Sequence, residues 1–87
     1  MPSAEQIFKA LANRRRLALL AHLRRVPDAS VVELSDVLHL SFRSTSKHLH
    51  VLRSAGLLDA ERRGREMRYT RTPLPRSVID TFVRMVR

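Results

Sequence analysis

Between Ser41 and His50 the chain reads Ser-Phe-Arg-Ser-Thr-Ser-Lys-His-Leu-His, a concentration of hydroxyl, cationic and imidazole side chains open to three kinds of chemistry. Nucleophilic catalysis would need an activating frame. There is no nucleophile elbow and no phosphate-cradling glycine loop, and the two glycines each serve a turn or a helix cap, so no catalytic residue is assigned. Metal binding fails on spacing. His48 and His50 lie about 200° apart on a helix, whereas helical ligand pairs need i, i+3 or i, i+4. His22 and His39 are isolated, and the absence of cysteine removes thiolate sites, disulfides and thiol redox chemistry. Neither metal nor cofactor is expected. Polyanion binding remains, and the totals favour it: 17 Lys and Arg stand against 8 Asp and Glu, a formal charge of +9. Only Lys9 and Lys47 are lysines, and the guanidinium fork of the many arginines suits phosphates and guanine edges.

The Ser41–His50 segment needs a helix to aim it. Taking Leu49 as reference at 100° per residue, Thr45, Leu52 and Phe42 fall within about 60° of it and form the packing face. Arg43, Lys47, His50 and Ser54 fall on the far side, with Ser44 beside them and Ser46 and His48 on the flanks. Val51 also projects outward, and is expected to pack under a neighbouring element. No acidic residue occurs from Leu40 to Leu58. Short hydroxyl donors between cations suit close entry into a major groove, so Ser41, Arg43, Ser44, Ser46, Lys47, His48 and His50 are the candidate DNA-binding residues of this helix.

The surrounding pattern supplies its supports. Ser3 with Gln6 resembles a capping box opening a first helix with an Ile7, Phe8, Leu11 stripe. Asn13 caps a second, carrying Leu17, Leu20 and Leu23 inward until Pro27 and Asp28. Ser30 and Glu33 form a second capping box for a third helix with Val31, Leu34 and Leu38 buried, ending near His39. Ser41 caps the fourth and Gly56 stops it, so the third and fourth helices read as a helix-turn-helix. From Leu57 the period changes to alternation, and a hairpin follows whose tip, Arg62, Arg63, Gly64 and Arg65, is basic, with Arg68 and Arg71 behind it. Pro73 and Pro75 end it. Val78, Ile79, Phe82, Val83 and Val86 then mark a last amphipathic helix. The expected fold is mainly α with a small β-hairpin: a winged helix-turn-helix of about five helices and a two-stranded wing, one domain over residues 1–87. Arg62, Arg63 and Arg65 are the candidate wing contacts. No membrane span and no signal-peptide layout is present, which reads as a cytoplasmic chain. The final stripe exceeds what so small a core can cover, so Ile7, Phe8, Ile79, Phe82, Val83 and Val86 are expected to form a homodimer seam.

The runs Ala10-Leu11-Ala12-Asn13-Arg14-Arg15-Arg16-Leu17, Glu33-Leu34-Ser35, Ser46-Lys47-His48-Leu49-His50-Val51-Leu52-Arg53-Ser54-Ala55-Gly56-Leu57-Leu58 and Arg62-Arg63-Gly64-Arg65 with Tyr69 resemble, in order and spacing, the ArsR (arsenical-resistance repressor) family of winged-helix regulators. The resemblance covers nearly the whole chain. It implies a homodimer joined through the first and last helices, with two recognition helices in successive major grooves of an operator. It implies DNA-facing or phosphate-contacting roles for Ser44, Ser46, Lys47 and His48, and a wing tip of Arg62, Arg63 and Arg65. Three departures stand out. Glu33-Leu34-Ser35-Asp36-Val37 replaces the Cys-x-Cys-type motif of the metal-sensing members. The last helix has Asp80 but none of the histidines with which other members bind zinc, and Phe42 replaces the polar residue usual near the start of the recognition helix.

The residues and the resemblance together point to a sequence-specific double-stranded-DNA-binding regulator, a repressor acting as a homodimer without a metal sensor, rather than an enzyme. Two alternatives are a sequence-neutral architectural DNA binder and a winged-helix protein-interaction module. The acid-free helix and basic wing speak against the last of these.

Overall fold

A computed structural model describes residues 2–74 and 76–85, with Ser77 and Phe82 described by backbone alone. Five helices and three strands follow one another among them: α1 (Ala4–Leu11), α2 (Arg14–Arg25), β1 (Ala29–Ser30), α3 (Val31–Leu38), α4 (Phe42–Ser54), β2 (Leu58–Arg63), β3 (Glu66–Arg71) and α5 (Arg76–Met85). This is the mainly helical winged helix-turn-helix expected, with one strand more. The short β1 pairs with β3, giving the antiparallel order β1-β3-β2 and registers Ala29 to Tyr69 and Ser30 to Arg68.

Local chemistry explains where the helices start. Ser3, Asn13, Ser30 and Ser41 each turn a side-chain oxygen onto the free N–H groups of the first turn, at 3.0–3.2 Å. At Ser30 the box is complete, since Glu33 Oε1 accepts the Ser30 N–H at 2.9 Å. At Ser3 it is not. Gln6 Nε2 instead donates to the Ser54 carbonyl at 3.4 Å, which ties α1 to the end of α4. Helix α4 ends in a Schellman motif: Gly56, at φ 75°, donates to Arg53 O, and Leu57 donates to Leu52 O. At the end of α3, His39 takes the left-handed position at φ 55°.

The β2–β3 register brings Arg63 opposite Glu66, leaving a two-residue turn of Gly64 and Arg65. Only Gly64 has positive φ there, the pattern of a type II′ turn, whose twist matches that of the flanking strands. The core gathers Ile7 and Ala10 of α1, Leu19 and Leu23 of α2, Leu34 of α3, Leu49 and Leu52 of α4, and Leu57, Leu58 and Val78.

Four expectations from the helical projections are corrected. Leu17 is 49% exposed, because the buried stripe of α2 runs through Leu19 and Leu23 and Leu17 lies almost opposite Leu19. Phe42 is 58% exposed rather than packed. It shares the angle of Leu49, but it is the first residue of α4 and stands at the rim of a cleft between the start of α3 and the hairpin. Val51 is covered only in part: 37% of it stays exposed, and it borders a cleft with Gln6, Lys9 and Ala10 of α1. Ile7, placed at a seam between subunits, is 1% exposed inside the protomer's own core and has nothing to offer a partner. Phe8 is partly buried against that core, and Ile79 and Val83 are about half exposed. The seam positions Phe82, by its side chain, and Val86 lie outside the described residues.

Candidate nucleic-acid interface

Helix α4 is anchored by Thr45, Leu49 and Leu52, all fully buried. Thr45 Oγ1 also donates to the Ser41 carbonyl at 2.9 Å. With that face fixed, Phe42, Arg43, Ser46, Lys47, His50 and Val51 line a single open face. Four sequence candidates, Arg43, Ser46, Lys47 and His50, therefore stand together. Ser41 and Ser44 lie in the first turn, where the Ser41 hydroxyl is engaged as the cap and Ser44 is half-buried.

His48 is turned elsewhere. It is half-buried against α2, with Nδ1 3.4 Å from Nη1 of Arg16. Arginine only donates, so Nδ1 accepts and the ring proton of a neutral imidazole sits on Nε2. Burial, and then the charges of Arg16 and Arg15, push the imidazole below its ordinary pKa. Arg16 also satisfies the end of α1, donating from Nε to Ala10 O at 2.7 Å and from Nη2 to Lys9 O at 3.2 Å. One guanidinium thus links α1, α2 and α4.

The wing has an equivalent anchor. Arg68 of β3, largely covered, donates to Asp28 Oδ1 from Nε at 2.8 Å and to Glu33 Oε1 from Nη1 at 2.6 Å. This fastens the hairpin to the α2–α3 connection and to the first turn of α3. The Arg68 hydrogen bonds, aided by the charge of Arg63, hold Asp28 below its ordinary pKa. The Ser30 backbone N–H does the same for Glu33, and Arg68 itself is raised, mainly by Asp28. Arg63 shares Asp28 at 3.3 Å and reaches Glu61 at 3.7 Å while half exposed. Arg62 and Arg65 are exposed, and no ion pair among the described residues holds them.

Sequence pattern alone assigns no role to Arg16, reads Asp28 only as part of a helix stop and places Arg68 only behind the wing tip. The residues that position the interface join elements 32 to 40 positions apart. The one local hint is Glu33 in the capping box, whose Oε1 accepts from Arg68 as well as from Ser30.

A short helix pair, an acid-free second helix with its cations outward, and a basic hairpin beside it define a winged helix-turn-helix domain. No protein-family model matches the chain. Among curated proteins, the HTH-type transcriptional repressor SmtB of Mycobacterium tuberculosis is 38% identical over 69 residues, 79% of this chain and 50% of that protein. The HTH-type transcriptional regulator YgaV of Escherichia coli is 37% identical over 71 residues, 78% of this chain and 72% of that one. The chain thus spans about half the length of the mycobacterial relative. Among solved structures, an ArsR family transcriptional regulator superposes with TM-score 0.81 at 27% identity, covering 98% of this chain and 91% of the other. A homodimeric winged helix-turn-helix DNA-binding domain from Mycobacterium bovis gives TM-score 0.74 at 28% identity, covering 93% of this chain and 72% of that one. The chain belongs to the ArsR family of winged-helix transcriptional regulators. These relatives are regulators, not enzymes, and no helix of the described residues is long and apolar enough to cross a membrane.

Proposed function

We propose that the chain is a sequence-specific double-stranded-DNA-binding repressor acting as a homodimer, with residues 1–87 forming one winged-helix unit. The observation that carries this reading is the open face of α4. Arg43, Lys47 and His50 project together from a helix without acidic residues, beside a wing tip bearing Arg62 and Arg65. Ser41, Ser44 and Ser46 add short donors at the end that would enter the groove first. His48 acts through Arg16, as a positioning residue, and Arg63 is shared between the wing and Asp28. Repression needs no more than occupancy of the operator.

The dimer reading is supported by the apolar strip along α1 and α5, where Phe8, Leu11, Ala12, Leu74, Val78 and Ile79 line one cleft and Val83 and Met85 are exposed nearby. The homodimeric M. bovis neighbour has the same fold.

Metal is not the proposed signal. In the α3 stretch Glu33 is spent on Ser30 and Arg68, and Ser35 is buried with its hydroxyl on Val31 O at 2.8 Å. Zinc, cadmium or arsenite at one equivalent is expected to leave DNA affinity unchanged, and a metal response lost in His50→Ala would contradict this.

The function is tested by titrating duplex DNA at several salt concentrations. Affinity should fall steeply with salt, and Arg43→Glu with Lys47→Glu should abolish it while the melting temperature is kept. Retained binding in that variant would overturn the assignment of the face.

A further inference from the structure

We propose that Phe42 is a specificity-determining residue that reads the C5-methyl group of a pyrimidine, thymine above all, in the major groove. This rests on the DNA-binding reading above and names what one position of the interface recognises.

Phe42 leads α4 as its first helical residue and leaves 58% of its surface in water. Its neighbours define the occupant. On one side it shares the open face with Arg43, Ser46 and Lys47, and on the other it shares a cleft with Val32, Met67, Arg65 and Glu66, whose carboxylate is paired with Arg68 at 3.5 Å. An aromatic ring bordered on both sides by cations suits an apolar group carried between negative charges. A duplex supplies that arrangement: phosphates line both edges of the major groove, and on its floor the thymine methyl is the apolar feature displayed beside hydrogen-bonding groups. The ring of Phe42 has no donor or acceptor, so it discriminates only by whether a methyl is there to bury. A 5-methylcytosine presents its methyl at the same place and would be accepted by the same ring.

The remaining exposed apolar residue of α4, Val51, lies more than two turns further along the same open face. It is therefore further from the groove floor when a helix enters by its N-terminal end. Phe42 stands where base edges are nearest.

The test begins with a duplex enriched from a random pool by the full chain. Each thymine of its half-sites is then replaced by deoxyuridine, which removes the methyl and leaves every hydrogen-bonding group in place. At one thymine per half-site the replacement should weaken binding by roughly fourfold, and in both half-sites by roughly the square of that, the effect of one buried methyl group. Phe42→Ala should bind the thymine and uracil duplexes equally, with an unchanged melting temperature because the ring is exposed. Indifference to uracil at every position, or a uracil penalty that persists in Phe42→Ala, would overturn the assignment while leaving the DNA-binding function standing. A chain that binds no duplex would overturn both.

Discussion

Protonating His48 sets its imidazolium against Arg16 at a distance where Nδ1 now accepts a hydrogen bond. Its pKa is lowered in the folded chain, so the unfolded chain takes up the proton first, and stability falls as pH drops below the unfolded value of about 6.5. Asp28 and Glu33 act in a lower window. Their folded pKa values are depressed too, so their contribution is present above the ordinary carboxylate range and is lost as pH falls through it. Between about pH 6.5 and 5 the histidine therefore dominates this pair of effects. Melting followed across that range should show an acid-side decline that His48→Gln lacks, and equal slopes in the two chains would contradict a stabilising role for the neutral ring beside Arg16. Little of this was legible in the sequence. A helical projection puts His48 on a flank, but the arginine that turns it inward is 32 residues away. Phe42 escapes the projection for a related reason, since an angle around a helix says nothing about how far along its axis the packing partner extends.

At the scale of elements, the helix starts were readable because they depend on residues within one turn. Ser3, Asn13, Ser30 and Ser41 all cap as their types and spacing predict. Ser30→Ala should therefore cost about 1 kcal/mol, seen as a drop of roughly 4–8 °C in melting temperature for a domain of this size. An unchanged midpoint would show that Glu33 and Arg68 hold α3 without the cap. Strand β1 was not readable, because two residues carry no periodicity and their pairing is set by β3 nearly forty positions on. The tie between Arg68, Asp28 and Glu33 was hidden in the same way, and it leaves Arg62 and Arg65 as exposed cations at the wing tip outside any ion pair among the described residues. Arg62→Glu with Arg65→Glu should weaken binding to all duplexes alike and lower the salt slope by about 0.9 for each phosphate no longer neutralised. A change confined to particular base sequences would instead place these residues on bases.

For the whole molecule, the decisive question is whether two such domains act together. The final stripe was legible as apolar, but only the structure separates Val78, buried in the protomer, from Ile79 and Val83, left outside. Ile79→Glu should shift the chain from dimer to monomer in sedimentation and keep the protomer folded, because Ile79 is not a core residue. A monomeric unaltered chain would contradict the seam. A paired protein reads paired half-sites, one turn of DNA, about 34–36 Å, apart or a multiple of it. Selection of bound duplexes from a random pool tests this most directly. A homodimeric, sequence-specific repressor should enrich an inverted repeat with that spacing and bind it at least 10³-fold more tightly than bulk DNA, by the usual margin of specific over non-specific binding. Salt-dependent binding without any enriched sequence, or no binding to duplex at all, would contradict it.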